Sequence, residues 1–262
     1  MNSDKMLLEK VGAIARITFN NPERRNAVSL EMWEMAESML HECAEDDDIR
    51  IVILTGAGGK AFISGADVSK FEDERASAEA VSQYNTTIAR FYDQLNKFPK
   101  PTIAMIRGYC IGGGLAVAVC CDLRICSEES QFAIPAARLG LGYGYHGVKR
   151  LVGIIGPAFT KEILFSARRF NTQEAIVMGL VNQVLAGDDL ESYVMDYANT
   201  IAGNAPMTVT SIKTLVGEVM KDPGERDQDL CEQLVADCFA SEDYIEGRRA
   251  FVEKRKPVFK GR

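Results

Sequence analysis

Met105-Ile106-Arg107-Gly108-Tyr109-Cys110-Ile111-Gly112-Gly113-Gly114-Leu115-Ala116-Val117-Ala118-Val119-Cys120-Cys121 is the stretch around which the rest of the chain is read. It starts as a strand after Pro101, turns through Gly108, then meets three consecutive glycines before an apolar helical pattern. Lacking side chains, Gly112, Gly113 and Gly114 let the backbone approach a ligand closely and take turn dihedrals that other residues resist. The helix that follows is apolar nearly all round, which predicts burial rather than a surface position. Its N-terminus presents unpaired N–H groups and the positive end of the helix dipole. Negative charge developing on an oxygen there is stabilised without a cationic side chain. The bland alternative is that the glycines serve only the close packing of helix on strand.

Working outward, 262 residues suffice for one large domain, or for a core with a smaller appendage. An apolar content of 47% and a charged content of 26% are those of an ordinary soluble globular protein. A net charge of −7, with no lysine-arginine stripe to offset it, argues against a nucleic-acid surface. The seven cysteines (43, 110, 120, 121, 126, 231 and 238) contain no C-x-x-C pair, and there are two histidines, so no metal site is expected. Most of these cysteines sit in apolar runs, which predicts reduced, buried thiols in a cytoplasmic protein. Met1–Lys10 is polar and mixed in charge, without a signal-peptide core, and no apolar run reaches membrane-spanning length.

Along the chain, Arg16–Phe19 alternates like a strand, and the loop Asn20–Asn26 is rich in turn formers and carries Arg24 and Arg25. Ser29 is placed to cap a helix with Trp33, Ala36, Leu40 and Cys43 on one face. Ile49–Leu54 reads as a buried strand ended by glycines, and Ala61–Val68 as an extended piece turning into a helix. Ser77–Phe98 predicts a long, mobile, polar-faced helix stopped by Pro99 and Pro101. Asp122–Cys126 returns as a strand, and Gln131–Pro135 leads into a glycine-rich loop, Gly140–Gly147. Asn171 with Glu174 three residues on is a helix-start signature. Beyond Asp188 the pattern is helical throughout: Leu190–Ala202, Pro206–Met220, Glu225–Ala240 and Tyr244–Lys254. The fold class is therefore α/β, with a core over 1–186 and a helical region over 187–262. A strand, glycine turn and small-residue helix recur at 51–68 and 102–121.

Two glycine-rich strand-to-helix turns can each aim one N–H at a common point, one from Ala66 and one from Gly113. Two convergent backbone donors form an oxyanion hole, and losing one typically costs about 10²–10³ in rate. The residues here carry a resemblance. Phe62-x-x-Gly65-Ala66-Asp67-Val68, Gly108-x-x-x-Gly112-Gly113-Gly114, Cys121-Asp122-Leu123-Arg124 and Phe132-x-x-Pro135 resemble the crotonase, or enoyl-CoA hydratase/isomerase, superfamily. So does the ending Ser241-Glu242-Asp243-Tyr244-x-Glu246-Gly247-x-x-Ala250-Phe251-x-Glu253-Lys254-Arg255-Lys256-Pro257, and the match runs through essentially the whole chain. The resemblance implies a crotonase-type, ClpP-like spiral of ββα units with a helical C-terminal region that mediates homotrimers, commonly stacked into homohexamers. It implies an acyl-CoA thioester as ligand, its carbonyl oxygen between the N–H groups of Ala66 and Gly113, with coenzyme A as part of the substrate and no separate cofactor. Arg24 and Arg25 fall where the family meets the CoA phosphates and pantetheine. Lys60, Ala61 and Phe62 would border the adenine, and Phe251 and Lys254 would reach toward the coenzyme, often that of a neighbouring subunit. Asp67 is expected to cap the helix after the first turn. As surface or packing residues, the same positions need no ligand.

The sequence departs from the family at two places. Its hydratases hold the attacking water between two glutamates, one two residues after the third glycine and one after the proline of Phe-x-x-Pro. Here those positions are Ala116 and Ala136, beside Gly112 in the expected pocket, and alanine transfers no proton. The polar groups left nearby are Tyr143 and His146, between glycines that let the loop approach a ligand. Tyr143 and the closing Glu-Lys-Arg-Lys-Pro resemble the methylmalonyl-CoA decarboxylase branch, although that branch carries a histidine where this chain has Ala66. Three readings follow: an enoyl-CoA hydratase-like lyase working through a thioester enolate, a decarboxylase of a malonyl-type CoA, and an emptied enzyme that only binds acyl-CoA.

Overall fold

Ile51-Val52-Ile53-Leu54 has no polar position because both faces of its strand are covered. In the computed structural model, which describes residues 4–67 and 77–262, Ile51 and Ile53 pack with Leu190, Val194, Ala198 and Ala202 on one side. Val52 and Leu54 join the larger core of Trp33, Phe62, Phe91 and Phe132 on the other. This strand, β3 (Ile51–Gly56), is central in a six-stranded sheet with β1 (Met6–Val11), β2 (Ile14–Phe19), β5 (Thr102–Ile106), β7 (Leu123–Ser127) and β9 (Gln183–Leu185). The order is β1-β2-β3-β5-β7-β9, antiparallel between β1 and β2 and parallel elsewhere.

The strands skipped in that order form a second, three-stranded parallel sheet: β4 (Ala61–Ile63), β6 (Tyr109–Ile111) and β8 (Gln131–Ala133). Each pair β3–β4, β5–β6 and β7–β8 therefore steps from one sheet to the other, and the chain climbs as a spiral of repeated units. The recurrence at 51–68 and 102–121 is two turns of it; the third, through β7 and β8, ends in a short 3₁₀ segment, Pro135–Leu139. Gly108, at φ +68°, makes the second step, and a Cβ there would fall 2.1 Å from the Lys60 carbonyl oxygen.

Helix α1 (Leu30–Glu45) begins as the sequence predicts, with Ser29 Oγ accepting from the Met32 N–H and Trp33, Ala36, Leu40 and Cys43 buried. Helix α2 (Ala78–Asn96), capped by Ser77, buries Tyr84, Thr87, Phe91 and Leu95, while α3 (Gly113–Cys120) is buried nearly all round. The helix expected after Asp67 falls outside the described residues. Helix α4 (Tyr145–Ser166) corrects the predicted loop over 140–147: Gly144 is already its cap, and the Val148 N–H closes the first turn on the Gly144 carbonyl. Glycines at 144 and 147 hide this start because glycine weakens any helical signal. Inside α4 the backbone breaks at Gly156, φ +72°, beside Pro157. Helix α5 (Thr172–Val177) has the full capping box, Asn171 with Glu174.

Of the later helices, α6 (Leu190–Ala202) lies on the outer face of the large sheet, and α7 (Pro206–Val219), α8 (Gln228–Ala240) and α9 (Glu242–Glu253) follow. Helix α8 starts three residues later than predicted, after a 3₁₀ turn at Pro223–Glu225, with Asp227 as its cap. Lys213 ties α7 to the core, its Nζ donating to Asp122 Oδ2 at 2.7 Å and the Lys100 carbonyl at 2.8 Å. The tail folds back through Asp243, which accepts from the Lys260 and Gly261 N–H groups, and Arg50, which donates to the Phe259 carbonyl. The seven cysteines are free thiols, five of them buried. Among the described residues no helix is long and apolar enough to cross a membrane.

Candidate active site

The first turn of the site is assembled by Asn26. Its buried side chain, at φ +55°, donates to the Ala57 and Ala61 carbonyls and accepts from the Asn21 N–H, which fixes the loop bearing Arg24 and Arg25 against β4. Val28 then pairs with the Ser64–Asp67 turn: the Val28 N–H donates to the Gly65 carbonyl and the Asp67 N–H to the Val28 carbonyl. In a parallel bridge the residue between those two bonds points its own N–H the other way. That residue is Ala66, and its N–H has no partner among the described residues.

The second turn is pressed against the first. Gly65, φ +115°, lies with its Cα 3.9 and 4.0 Å from where a Cβ would sit on Gly112 and Gly113. A Cβ on Gly114 would fall 2.1 Å from the Ile63 carbonyl oxygen, so only glycine lets α3 lie against the end of β4. The Gly112 N–H is used by the Ala133 carbonyl; that of Gly113, first in the helix, has no partner among the described residues. At the far end of α3 the buried Arg124 guanidinium donates to the Ala118, Cys121 and Leu180 carbonyls. A cation at the C-terminus reinforces a dipole whose positive end is at Gly113.

The second turn opens onto a cavity of about 490 Å³ between α2, α3 and the start of α4. Gly112, Gly113, Ala116 and Val119 form its floor, Ile88, Ala89 and Tyr92 one wall, and Tyr143, His146 and Arg150 the other. Tyr92 packs on Trp33, ring centroids 5.7 Å apart, and its hydroxyl donates to the Gly113 carbonyl at 3.4 Å. Burial pushes the Tyr92 phenol well above its ordinary value and Tyr143 up to about 12, so both stay protonated at neutral pH. The Tyr143 ring lies over the first turn of α4, where a Cβ on Gly147 would be 2.7 Å from its Cε1. His146 is exposed, its ring edge-on to Tyr145 at 5.6 Å.

The residues named from the sequence are thus brought together in part. Gly112, Gly113, Ala116, Tyr143 and His146 line one cavity; Ala66 is outside that lining, next to Gly65, which packs on Gly112 and Gly113. Ala136 lies in the 3₁₀ segment after Pro135, half-buried against the core and outside that lining. Arg24 is exposed with Nη1 3.7 Å from Asp67, and Arg25 stacks on Tyr109, 5.2 Å from the ring centre, with Arg169 at 5.1 Å on the same ring. Ala61 and Phe62 are buried, which corrects any expectation of side-chain contact: a ligand meets them through the main chain alone. Lys60 is exposed at the head of β4; Phe251 and Lys254 are exposed at the end of α9 and do not line the cavity. The cavity is also lined by Asn85, Ile88, Ala89, Tyr92, Asp93, Val119 and Arg150, none of which the sequence singles out. The α2 residues recur at helical spacing beside its buried stripe, a signal that marks a second face without saying what it faces.

Paired strands stepping between two parallel sheets, with two glycine turns meeting over a cavity, define the crotonase architecture. The enoyl-CoA hydratase/isomerase family model matches residues 9–262, and the chain belongs to that family. It is 32% identical over 256 residues to a short-chain-enoyl-CoA hydratase of Clostridium acetobutylicum, covering 98% of this chain and 97% of the relative. A crotonyl-CoA hydratase of Syntrophomonas wolfei is 30% identical, with 99% of each chain covered. Among solved structures, an enoyl-CoA hydratase/carnithine racemase from Magnetospirillum magneticum superposes with a TM-score of 0.92 at 35% identity, over 100% of this chain and 97% of that one.

Proposed function

We propose that this chain is an acyl-CoA enzyme that stabilises a thioester enolate between the N–H groups of Ala66 and Gly113. The observation that carries the reading is the pair of unpartnered donors on two touching turns at one cavity. Family membership and relatives named as hydratases of enoyl- and crotonyl-CoA support the substrate class. Negative charge on the thioester oxygen meets two amide dipoles and the positive end of α3, none of which must reorganise during the reaction. Arg24, with Nη1 3.7 Å from Asp67, and with it Arg25 and Lys60, suit the coenzyme phosphates. The exposed apolar side chains of α7–α9, Ile212, Val216, Phe239 and Phe251 among them, suit a trimer or hexamer.

Ala116 and Ala136 supply no carboxylate, so the proton is assigned to Tyr143. A phenol that burial keeps protonated up to about pH 12 stands in the donor form through the neutral range, where it has no base form to take a proton from water. That favours, as a second reading, loss of CO₂ from a malonyl-type CoA: the bond to the carboxylate breaks, its electron pair enters the enolate, the phenol protonates the α-carbon, and the phenolate regains its proton from water. Crotonyl-CoA and methylmalonyl-CoA, assayed by thioester absorbance and by released CO₂, separate the two. Gly113→Pro removes one donor at a position where helices accept proline. Its turnover of whichever substrate reacts should fall about 10²–10³-fold. Gly113→Ala, whose Cβ meets only ordinary contacts at 3.4 Å or more, serves as the folding control. Undiminished turnover in Gly113→Pro would remove the hole from the mechanism.

A further inference from the structure

Arg150 stands in the second turn of α4, half-buried at the cavity, and the enolate chemistry makes no use of it. Its Nε donates to Asn96 Oδ1 at 3.1 Å, and among the described residues Nη1 and Nη2 have no partner. A guanidinium held in this way offers two parallel N–H donors at the spacing of a carboxylate's oxygens. Asp93, the carboxylate among the described lining residues, is already drawn to Lys97 Nζ at 2.9 Å.

The place of this fork in the cavity decides what it selects. Asn96 ends α2, and the chain just beyond it meets the C-terminal end of α3, where Thr102 and Lys213 both bond Asp122. The Arg150 charge is felt by the Cys120 thiol, the last residue of α3, and also by the Tyr92 and Tyr143 phenols, in each case opposing the dominant effect of burial. The proposed thioester site is at Gly113, the other end of that helix. From Gly113 to Val119 the helix rises about 9 Å. Ala116 and Val119 lie along that rise, and α2 adds Ile88, Ala89, Tyr92 and Asp93 to the lining.

We propose that Arg150 is a specificity-determining residue that selects acyl-CoA esters whose acyl chain ends in a carboxylate, seated at the end of the cavity opposite Gly113. This rests on the acyl-CoA reading above, and it goes beyond that reading by naming the acyl group. A carboxylate on the α-carbon would instead lie beside Gly113. An uncharged chain of the same length would leave the guanidinium without a partner.

The test is a binding measurement, independent of turnover: calorimetric titration with adipyl-CoA, hexanoyl-CoA and malonyl-CoA. Adipyl-CoA should bind about ten-fold more tightly than hexanoyl-CoA, the worth of a charge-assisted hydrogen bond. In Arg150→Gln that ratio should fall to one, and Arg150→Lys should recover part of it. Detectable hexanoyl-CoA binding by Arg150→Gln shows that the cavity keeps its shape. Equal binding of the two esters by the native protein, or a preference that survives in Arg150→Gln, overturns the proposal. So does an Arg150-dependent gain for malonyl-CoA with none for adipyl-CoA. If neither hexanoyl-CoA nor adipyl-CoA binds, the acyl-CoA reading falls with it.

Discussion

At the scale of single residues, the site depends on where side chains are missing as much as on where they stand. Gly147 is the sharpest case. Alanine favours a helix by roughly 1 kcal/mol over glycine. Yet a Cβ at 147 would drive the Tyr143 ring off the cavity. We therefore expect Gly147→Ala to keep or raise thermal stability while losing activity; a variant with full turnover would show that the ring's position is immaterial. Tyr143→Phe should lower kcat by about 10²–10⁴-fold, the usual contribution of a proton-transfer group. Burial raises the folded phenol to about 12 from an ordinary 10.0. The sign follows from that: the neutral phenol is the form the folded state favours. Its contribution to stability is complete below pH 10.0 and is lost as pH rises toward 12. A pH–rate profile should accordingly stay flat through the neutral range with respect to this group. An acidic fall removed by Tyr143→Phe would mean that Tyr143 is a base.

At the scale of elements, α3 is held at both ends by chemistry that its length alone could not provide. Gly114 lets its first turn lie against the Ile63 carbonyl, and Arg124 fills the carbonyls at its last. Gly114→Ala would force the two glycine turns apart, since backbone rather than a flexible side chain stands in the way. Overpacking of this kind should cost about 3 kcal/mol. Chemical denaturation measures it, and a change below the error of that method would mean that β4 can retreat. The capping of α5 by Asn171 and of α1 by Ser29 was legible because a cap is a local device, needing only residues three apart. The start of α4 was not, because Gly147 is set by a ring packed above it and not by helix propensity.

At the scale of the whole molecule, α6 is part of the core, whereas α7, α8 and α9 leave large apolar side chains in the open. Val216, Val219 and Met220 on or beside α7, Phe239 on α8, and Phe251 and Val252 on α9 are all more than half exposed. Such exposed apolar side chains suit an interface between copies of the chain. Sedimentation velocity should find trimers or hexamers, and a stable monomer at micromolar concentration would refute the assembly. The tail beyond α9 is pinned by Glu246, whose carboxyl is held down at about 2, chiefly by Arg255 and then by the Val258 N–H. A carboxyl so depressed contributes stability above its ordinary 4.5 and loses it as pH falls toward 2.

The sequence by itself determined the strands with two apolar faces, the glycine turns at Gly65 and Gly112–Gly114, most helix boundaries, and the alanines where two glutamates would stand. All of these are written in neighbouring residues, because pleat, helix period and caps act within a few positions. Only the tertiary structure decided which face of α2 becomes a wall, that Tyr92 reaches Gly113, and that Arg150 bonds Asn96 where it lines the cavity. Those contacts join residues tens of positions apart, and a side chain's role there is set by the space left between packed helices, which no local pattern records.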